Sequence, residues 1–203
     1  MTPNNSNGTF RGEVFRKHRE TRNGHRAVTL WFCGLSGAGK STIAHAVGKR
    51  LFDSGIHAYT FDGDNVRHGL CGDLAFSPKD RAENIRRISE MTKLFMDAGT
   101  ICLCAFITPE HDVQQRLRAM HEDGDFYLIH VDCPVEECEK RDVKGYYKLA
   151  RQGKIKNYTG ISAPYDPPEN PDLHLETATR SLEDCVTEVL DFIKRKTLNS
   201  SMK

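Results

Sequence analysis

The nonapeptide GLSGAGKST, residues 34–42, constrains this chain more than any other stretch. It satisfies G-x-x-x-x-G-K-[S/T] with Gly34, Gly39, Lys40 and Ser41. An apolar run, VTLWFC (28–33), precedes it and a helical pattern follows. Glycines let successive backbone N–H groups converge on phosphate oxygens, and the helix start adds the positive end of its dipole. Strand, loop and helix in that order predict a nucleoside-triphosphate cradle built from Gly34, Leu35, Ser36, Gly37, Ala38, Gly39, Lys40, Ser41 and Thr42. Lys40 is expected on the β- and γ-phosphates and Ser41 on Mg2+.

Around that cradle, apolar strand candidates at 28–33, 56–61, 100–107, 126–132 and 172–176 alternate with helix candidates near 40–53, 78–97, 110–122, 134–141 and 178–195. Near-continuous apolar strands separated by helices predict an α/β fold, a parallel sheet with helices on both faces. The helix at 78 is announced by Ser77 as a cap, Pro78 in the first turn and Asp80 at the positive end. Residues 142–171 mix Gly, Lys, Tyr and four prolines without sustained periodicity, which predicts a functional lid. At 203 residues the chain suits a single domain, 26–203. Residues 1–25 read as a basic arm, with an organellar transit segment as the alternative, because 11–26 hold six Lys/Arg against two Glu.

Composition removes some functions. Twenty-nine basic and 28 acidic residues give +1, so no global field recruits nucleic acid or an anionic membrane. The longest apolar run, 101–107, is far short of a membrane span. Seven cysteines include no CxxC pair, and Cys33, Cys102, Cys104 and Cys133 fall in or beside apolar runs, where a thiol behaves as a small hydrophobe. Reduced thiols imply a cytoplasmic setting.

The stretch FDGDNVRHGL (61–70) indicates what happens to the γ-phosphate. A P-loop switch or motor places an acidic Mg2+ partner at the end of another strand. The run 100–107 ends in Ile107-Thr108-Pro109 with no carboxylate, whereas the strand before Asp62 delivers Asp62 and Asp64 to the crevice at the carboxyl ends. One carboxylate can organise Mg2+ through water while the other orients, or takes the proton of, an acceptor hydroxyl. Capping of a short helix from Asn65 by Asp64 would explain one aspartate and leave the other over. Arg67 lies at i+3 from Asp64, and Arg81, Asn84 and Ile88 share one helical stripe. Arg67 and Arg81 suit fixed anionic oxygens, while Arg86 and Arg87 read as a solvated face.

Taken in order, GLSGAGKST, DGDNVRHGL, FSPKDRAENIRRI and KIKNYTGISAPYDPPENP resemble the successive signatures of adenylyl-sulfate kinases, from about residue 24 to 176. The resemblance implies a P-loop NTPase three-layer fold with a five-stranded parallel sheet, a homodimer, and MgATP-dependent phosphorylation of the 3′-hydroxyl of adenosine 5′-phosphosulfate in sulfate activation. It implies that Arg67, Arg81 and Asn84 contact this acceptor, that Phe76 and Tyr158 sandwich its adenine beside Asn157, and that Ile107 and Thr108 line the pocket. Lys144 would lie in the lid near the transferring phosphate, beside Lys40, Asp62 and Asp64 in the catalytic set. Thr108 replaces the family's phosphorylatable serine and so joins that set. Val113-Gln114 replaces an Asp-Arg pair, Asn157-Tyr158 a Gly-Phe pair, and Tyr146 a leucine. The altered region 108–118 keeps open a same-fold kinase for another nucleotide-like acceptor, such as a cytidine diphosphate derivative. A P-loop switch is disfavoured because no guanine-reading N/T-K-x-D run is present. The basic arm offers a surface for contact with ATP sulfurylase.

Overall fold

Parallel pairing of five short apolar strands organises the chain, which the computed structural model describes over residues 12–198. The strands are β1 (Thr29–Cys33), β2 (Ala58–Asp62), β3 (Ile101–Ala105), β4 (Phe126–Asp132) and β5 (Leu173–Glu176), in spatial order β2-β3-β1-β4-β5. All four pairings are parallel. The longer helices are α2 (Lys40–Asp53), α4 (Pro78–Asp97), α5 (His111–Ala119) and α8 (Leu182–Thr197). Four short ones join them: α1 (Arg16–Asn23), α3 (Gly63–Arg67), α6 (Val135–Arg141) and α7 (Tyr146–Arg151).

The near-continuous apolar runs follow from burial on both sides. Leu30 and Phe32 of β1, Leu103 of β3, and Ile129 and Val131 of β4 pack with residues of α2 and α8. Trp31, Cys33, Cys102, Cys104 and Leu128 pack with residues of α4 and α5. From β1 the chain steps outward to β2, returns to β3, and crosses back to β4. That reversal opens a crevice at the carboxyl ends of the central strands, where ligands of such sheets bind. The residues after β1, β2, β3 and β4 therefore share one rim. All seven cysteines are free and buried, and burial pushes the Cys33 and Cys102 thiols up to about 12. Among the described residues no helix is long and apolar enough to cross a membrane.

Two sequence expectations change. The lid region contains α7, a helix too short for periodicity to reveal. Its start is fixed by Gly145 at φ 69° and by the Asp142 carboxylate, which accepts from the Tyr147 and Lys148 N–H groups at 3.1 Å each. The arm, from residue 12 onward, includes α1, two of whose cations are engaged within the chain. Arg16 pairs with Asp125 and donates to Ala27 O at 2.6 Å, and Arg19 Nη1 lies 2.9 Å from Asp97 Oδ2. A local charge count cannot see carboxylates so distant in sequence. Residues 1–11 lie outside the described residues.

Asp125 is buried and also receives Arg26. Asp125→Ala should therefore loosen α1, costing about 1.5–3 kcal/mol in denaturant unfolding, the range for hydrogen bonds to charged groups. Amide exchange should accelerate selectively across residues 16–23, and unchanged protection there would remove this account of the helix.

Candidate active site

Backbone proximity shapes the loop after β1. Gly34, at φ 148°, donates its N–H to Ile107 O at 3.2 Å, and a Cβ on it would stand 2.3 Å from Val131 O. Only glycine fits between the ends of β3 and β4. Gly39, at φ 103°, then turns the chain into α2, leaving the helix's first N–H groups directed into the rim. Lys40 is buried and donates from Nζ to Leu35 O at 2.7 Å, so its ammonium is folded back over the loop it serves. The loop's outer wall is held by residues that sequence reasoning passed over. Arg141 donates to Gly37 O and Thr177 O, Thr177 Oγ1 donates to Ala38 O at 2.7 Å, and Tyr147 Oη donates to Ser36 O at 2.8 Å.

The two aspartates have distinct environments. Asp62, not Asp64, caps α3: its Oδ1 accepts from Asp64 N at 2.9 Å. Helix α3 begins two residues earlier than the sequence suggested, because Asp62 is still in extended backbone while Gly63 is already helical. Capping thus explains the buried Asp62 and leaves the exposed Asp64 with no local structural duty. Asp64 pairs instead with Lys144 from the lid.

Arg67 donates to Ala75 O at 3.0 Å, and its guanidinium lies 4.3 Å from the centroid of the Phe76 ring. Phe76 is 66% exposed, so one aromatic face is covered by cation and the rest is open. Arg81 joins α4 to the lid, donating to Phe76 O, Asn157 O and Thr159 Oγ1 at 3.0–3.2 Å. Asn84, one turn on, is buried with an Oδ1 that has no partner. Tyr158 packs edge-on against Tyr147 at 5.1 Å, with its hydroxyl buried and unpartnered. Phe76 and Tyr158 thus occupy different surroundings, one open and one turned into the lid. Arg87, expected on a solvated face, binds Asp73 and donates to Leu70 O at 3.0 Å, anchoring the segment after α3.

Thr108 follows β3 at φ 48°, a strained conformation for a β-branched residue. It is buried, and its Oγ1 accepts from Trp31 Nε1 at 2.8 Å. Gln114 Nε2 donates to Thr108 O and to Asp166 O, joining the loop after β3 to the segment that leads from the lid to β5. Ile107, half-buried, gives its carbonyl to Gly34. Trp31 looked like ordinary core, and Gln114 appeared only as a departure from the family pattern. Their shared role emerges from contact.

The adenylylsulphate kinase family model matches residues 26–176. The adenylyl-sulfate kinase of Staphylococcus epidermidis is 50% identical over 182 residues, covering 90% of this chain and 92% of that one. The chain belongs to the adenylyl-sulfate kinase family. Among solved structures of that family, the Mycobacterium tuberculosis APS kinase CysC in complex with AMPPNP and APS is 46% identical. It superposes with a TM-score of 0.80, covering 83% of this chain and 98% of that one. The hexameric APS kinase from Thiobacillus denitrificans is 29% identical with a TM-score of 0.64, and the match covers 89% of this chain and 31% of that one.

For a kinase of this family, the electrostatics of Lys40 are informative. Burial pushes its ammonium down to about 8, opposed by Cys33, Cys138 and Asp62. A bound triphosphate favours the charged form. Below pH 8 the ammonium is already charged; above it, binding must take up a proton. Nucleotide Kd should therefore be flat below about pH 8 and rise about tenfold per unit above it, since the charged fraction falls at that rate. Lys40→Met should bind weakly with that slope gone. Equal affinity for wild type at pH 7 and pH 10, by calorimetry, would contradict the assignment.

Proposed function

We propose that the protein is an ATP-dependent adenylyl-sulfate kinase, transferring the γ-phosphate of ATP to the 3′-hydroxyl of adenosine 5′-phosphosulfate. The observation that carries this reading is the meeting of three parts: the phosphate loop with Lys40, the Asp62–Asp64 rim, and a lid whose Lys144 reaches Asp64. Family membership narrows the acceptor.

In this reading Lys40 neutralises developing charge on the β- and γ-phosphates, with loop N–H groups supplying the rest of the cradle. The Ser41 hydroxyl and the Asp62 oxygen not used by the cap provide an all-oxygen donor set that fits Mg2+. When bound, that ion would supply charge stabilisation on the phosphates. Asp64 orients the acceptor hydroxyl and accepts its proton, and Lys144 exchanges its aspartate partner for the phosphate as substrates enter. Arg67, Arg81 and Asn84 hold the acceptor's anionic and polar groups, and the unpartnered Asn84 Oδ1 supports that role. Ile107 and Thr108 line the pocket, where Asn157 also lies. The acceptor's adenine stacks on the open face of Phe76, with Tyr158 opposite after the lid closes. Thr108, its hydroxyl oriented by the Trp31 N–H, shapes the pocket. Free, buried thiols support a cytoplasmic setting.

A homodimer is part of the proposal. Tyr59 on edge strand β2 is 52% exposed and Leu94 on α4 is 67% exposed, joined through Phe95, whose ring lies 5.2 Å from Tyr59. An unpaired strand edge beside exposed apolar side chains favours a partner. Sedimentation equilibrium showing only monomer at every protein concentration would exclude it.

ATP turnover against a panel of adenosine 5′-phosphosulfate, adenylate, cytidylate and shikimate tests the acceptor. Preference for adenosine 5′-phosphosulfate should be about a hundredfold or more, within the discrimination a polar pocket achieves. A preference for cytidylate, or hydrolysis independent of acceptor, would replace the reading. Asp64→Asn should lower kcat by about a hundredfold or more with little change in acceptor KM. Because Asp62 is the cap, its melting temperature should hold. Full activity in that variant would exclude Asp64 as the proton acceptor.

A further inference from the structure

The carboxyl ends of β4 and β5 carry a second cluster of ligand-type side chains, on the face of the sheet opposite α2. His130 and His174 are paired across the two strands, and Asp132 follows His130 by two residues. The pleat therefore points all three the same way. Their ligand atoms lie within 4.8 Å of one another. His174 Nε2 stands 3.1 Å from Asp132 Oδ2, and the two imidazoles are nearly parallel with centroids 5.1 Å apart. The hydrogen bond between His174 and Asp132 accounts for those two residues alone. His130 is only 6% exposed, and among the described residues neither of its ring nitrogens has a hydrogen-bond partner. Its ring nitrogens keep contact with solvent, so an ion can reach them. Tyr165 covers the cluster, its ring 6.2 Å from His130 and its hydroxyl buried without a partner. None of these side chains takes part in the phosphoryl transfer described above.

We propose that His130, Asp132 and His174 form a Zn2+ site. Two imidazoles and a carboxylate on adjacent strands are a ligand set for borderline first-row divalent ions, and three protein ligands leave a fourth position for water. Mg2+, which takes oxygen ligands, does not compete for it. Zinc bonds of about 2.0–2.2 Å draw donors closer than the present separation. His174, whose side chain is 44% exposed, is the group free to swing inward. The bound ion ties edge strand β5 to β4 and fixes Tyr165 at the base of the lid segment, where Asp166 N donates to Pro109 O at 2.8 Å.

The full chain, stripped of metal and kept in excess Mg2+, is titrated with Zn2+ against a chromophoric chelator and with Co2+ by visible absorption. One equivalent should bind, and the Co2+ spectrum should show ligand-field bands without thiolate charge transfer. His174→Ala and Asp132→Asn should each weaken Zn2+ by about a hundredfold or more, since loss of even an outer-shell partner costs about 10–100-fold. Both replace partly exposed side chains, so the melting temperature without metal and the turnover with MgATP should be unchanged. Added Zn2+ should raise the melting temperature of the wild type and not of the variants. Absence of binding by the wild type would overturn the proposal, meaning the niche holds only water. So would affinity unchanged in both variants, or a thiolate band placing the ion on cysteine.

Discussion

Gly34 is where three strand ends meet. Its N–H is held by Ile107 after β3, and its missing Cβ is what allows Val131 of β4 to approach. Because β1 lies between those neighbours and is buried on both faces, the loop that leaves it has one available path. That path turns at Gly39 and sends Lys40 back over the loop. The phosphate cradle is therefore a product of sheet packing as much as of its own glycines. The same packing brings the Asp62 rim and the Thr108 loop to the crevice, each at the end of a strand registered against β3 or β1.

Much of the remaining architecture holds loops to this rim. Trp31 reaches from β1 to the Thr108 hydroxyl, and Gln114 joins Thr108 and Asp166 through their carbonyls. Arg81 fastens α4 to the lid, Tyr147 fastens the lid to Ser36, and Lys144 closes onto Asp64. These contacts are polar and few, and several end on side chains that substrates would claim. A lid secured this way can close and reopen at modest cost, because each hydrogen bond contributes a net of only about 0.5–1.5 kcal/mol. Stability comes instead from the two apolar layers beneath, where the central strands are fully buried.

Two features of the rim carry unspent polar capacity. Asn84 and Tyr158 each have a buried oxygen without a partner, capacity that the proposed acceptor would use. His130 lies on the same face of the sheet as α4, at the end of β4, where the proposed ion would sit. Separating the two matters, since the proposed acceptor would use one and the proposed ion the other.

The sequence by itself determined the fold class, the phosphate-loop motif and the family. These rest on local chemistry: glycine spacing, apolar runs of strand length, and an N-cap followed by proline. Helices α2 and α4 and strand β4 have the predicted limits because their start and stop signals lie within a few residues. Tertiary structure alone decided which aspartate caps α3, since a shift of two residues in the helix start exchanges the roles of Asp62 and Asp64. It also decided that Arg16 and Arg87 are anchors, that Thr108 is tied to Trp31, and that His130, Asp132 and His174 share a face. Each of these depends on strand order or on partners far away in sequence. Parallel strands make that separation unavoidable, because each must cross over through a helix before it meets its neighbour.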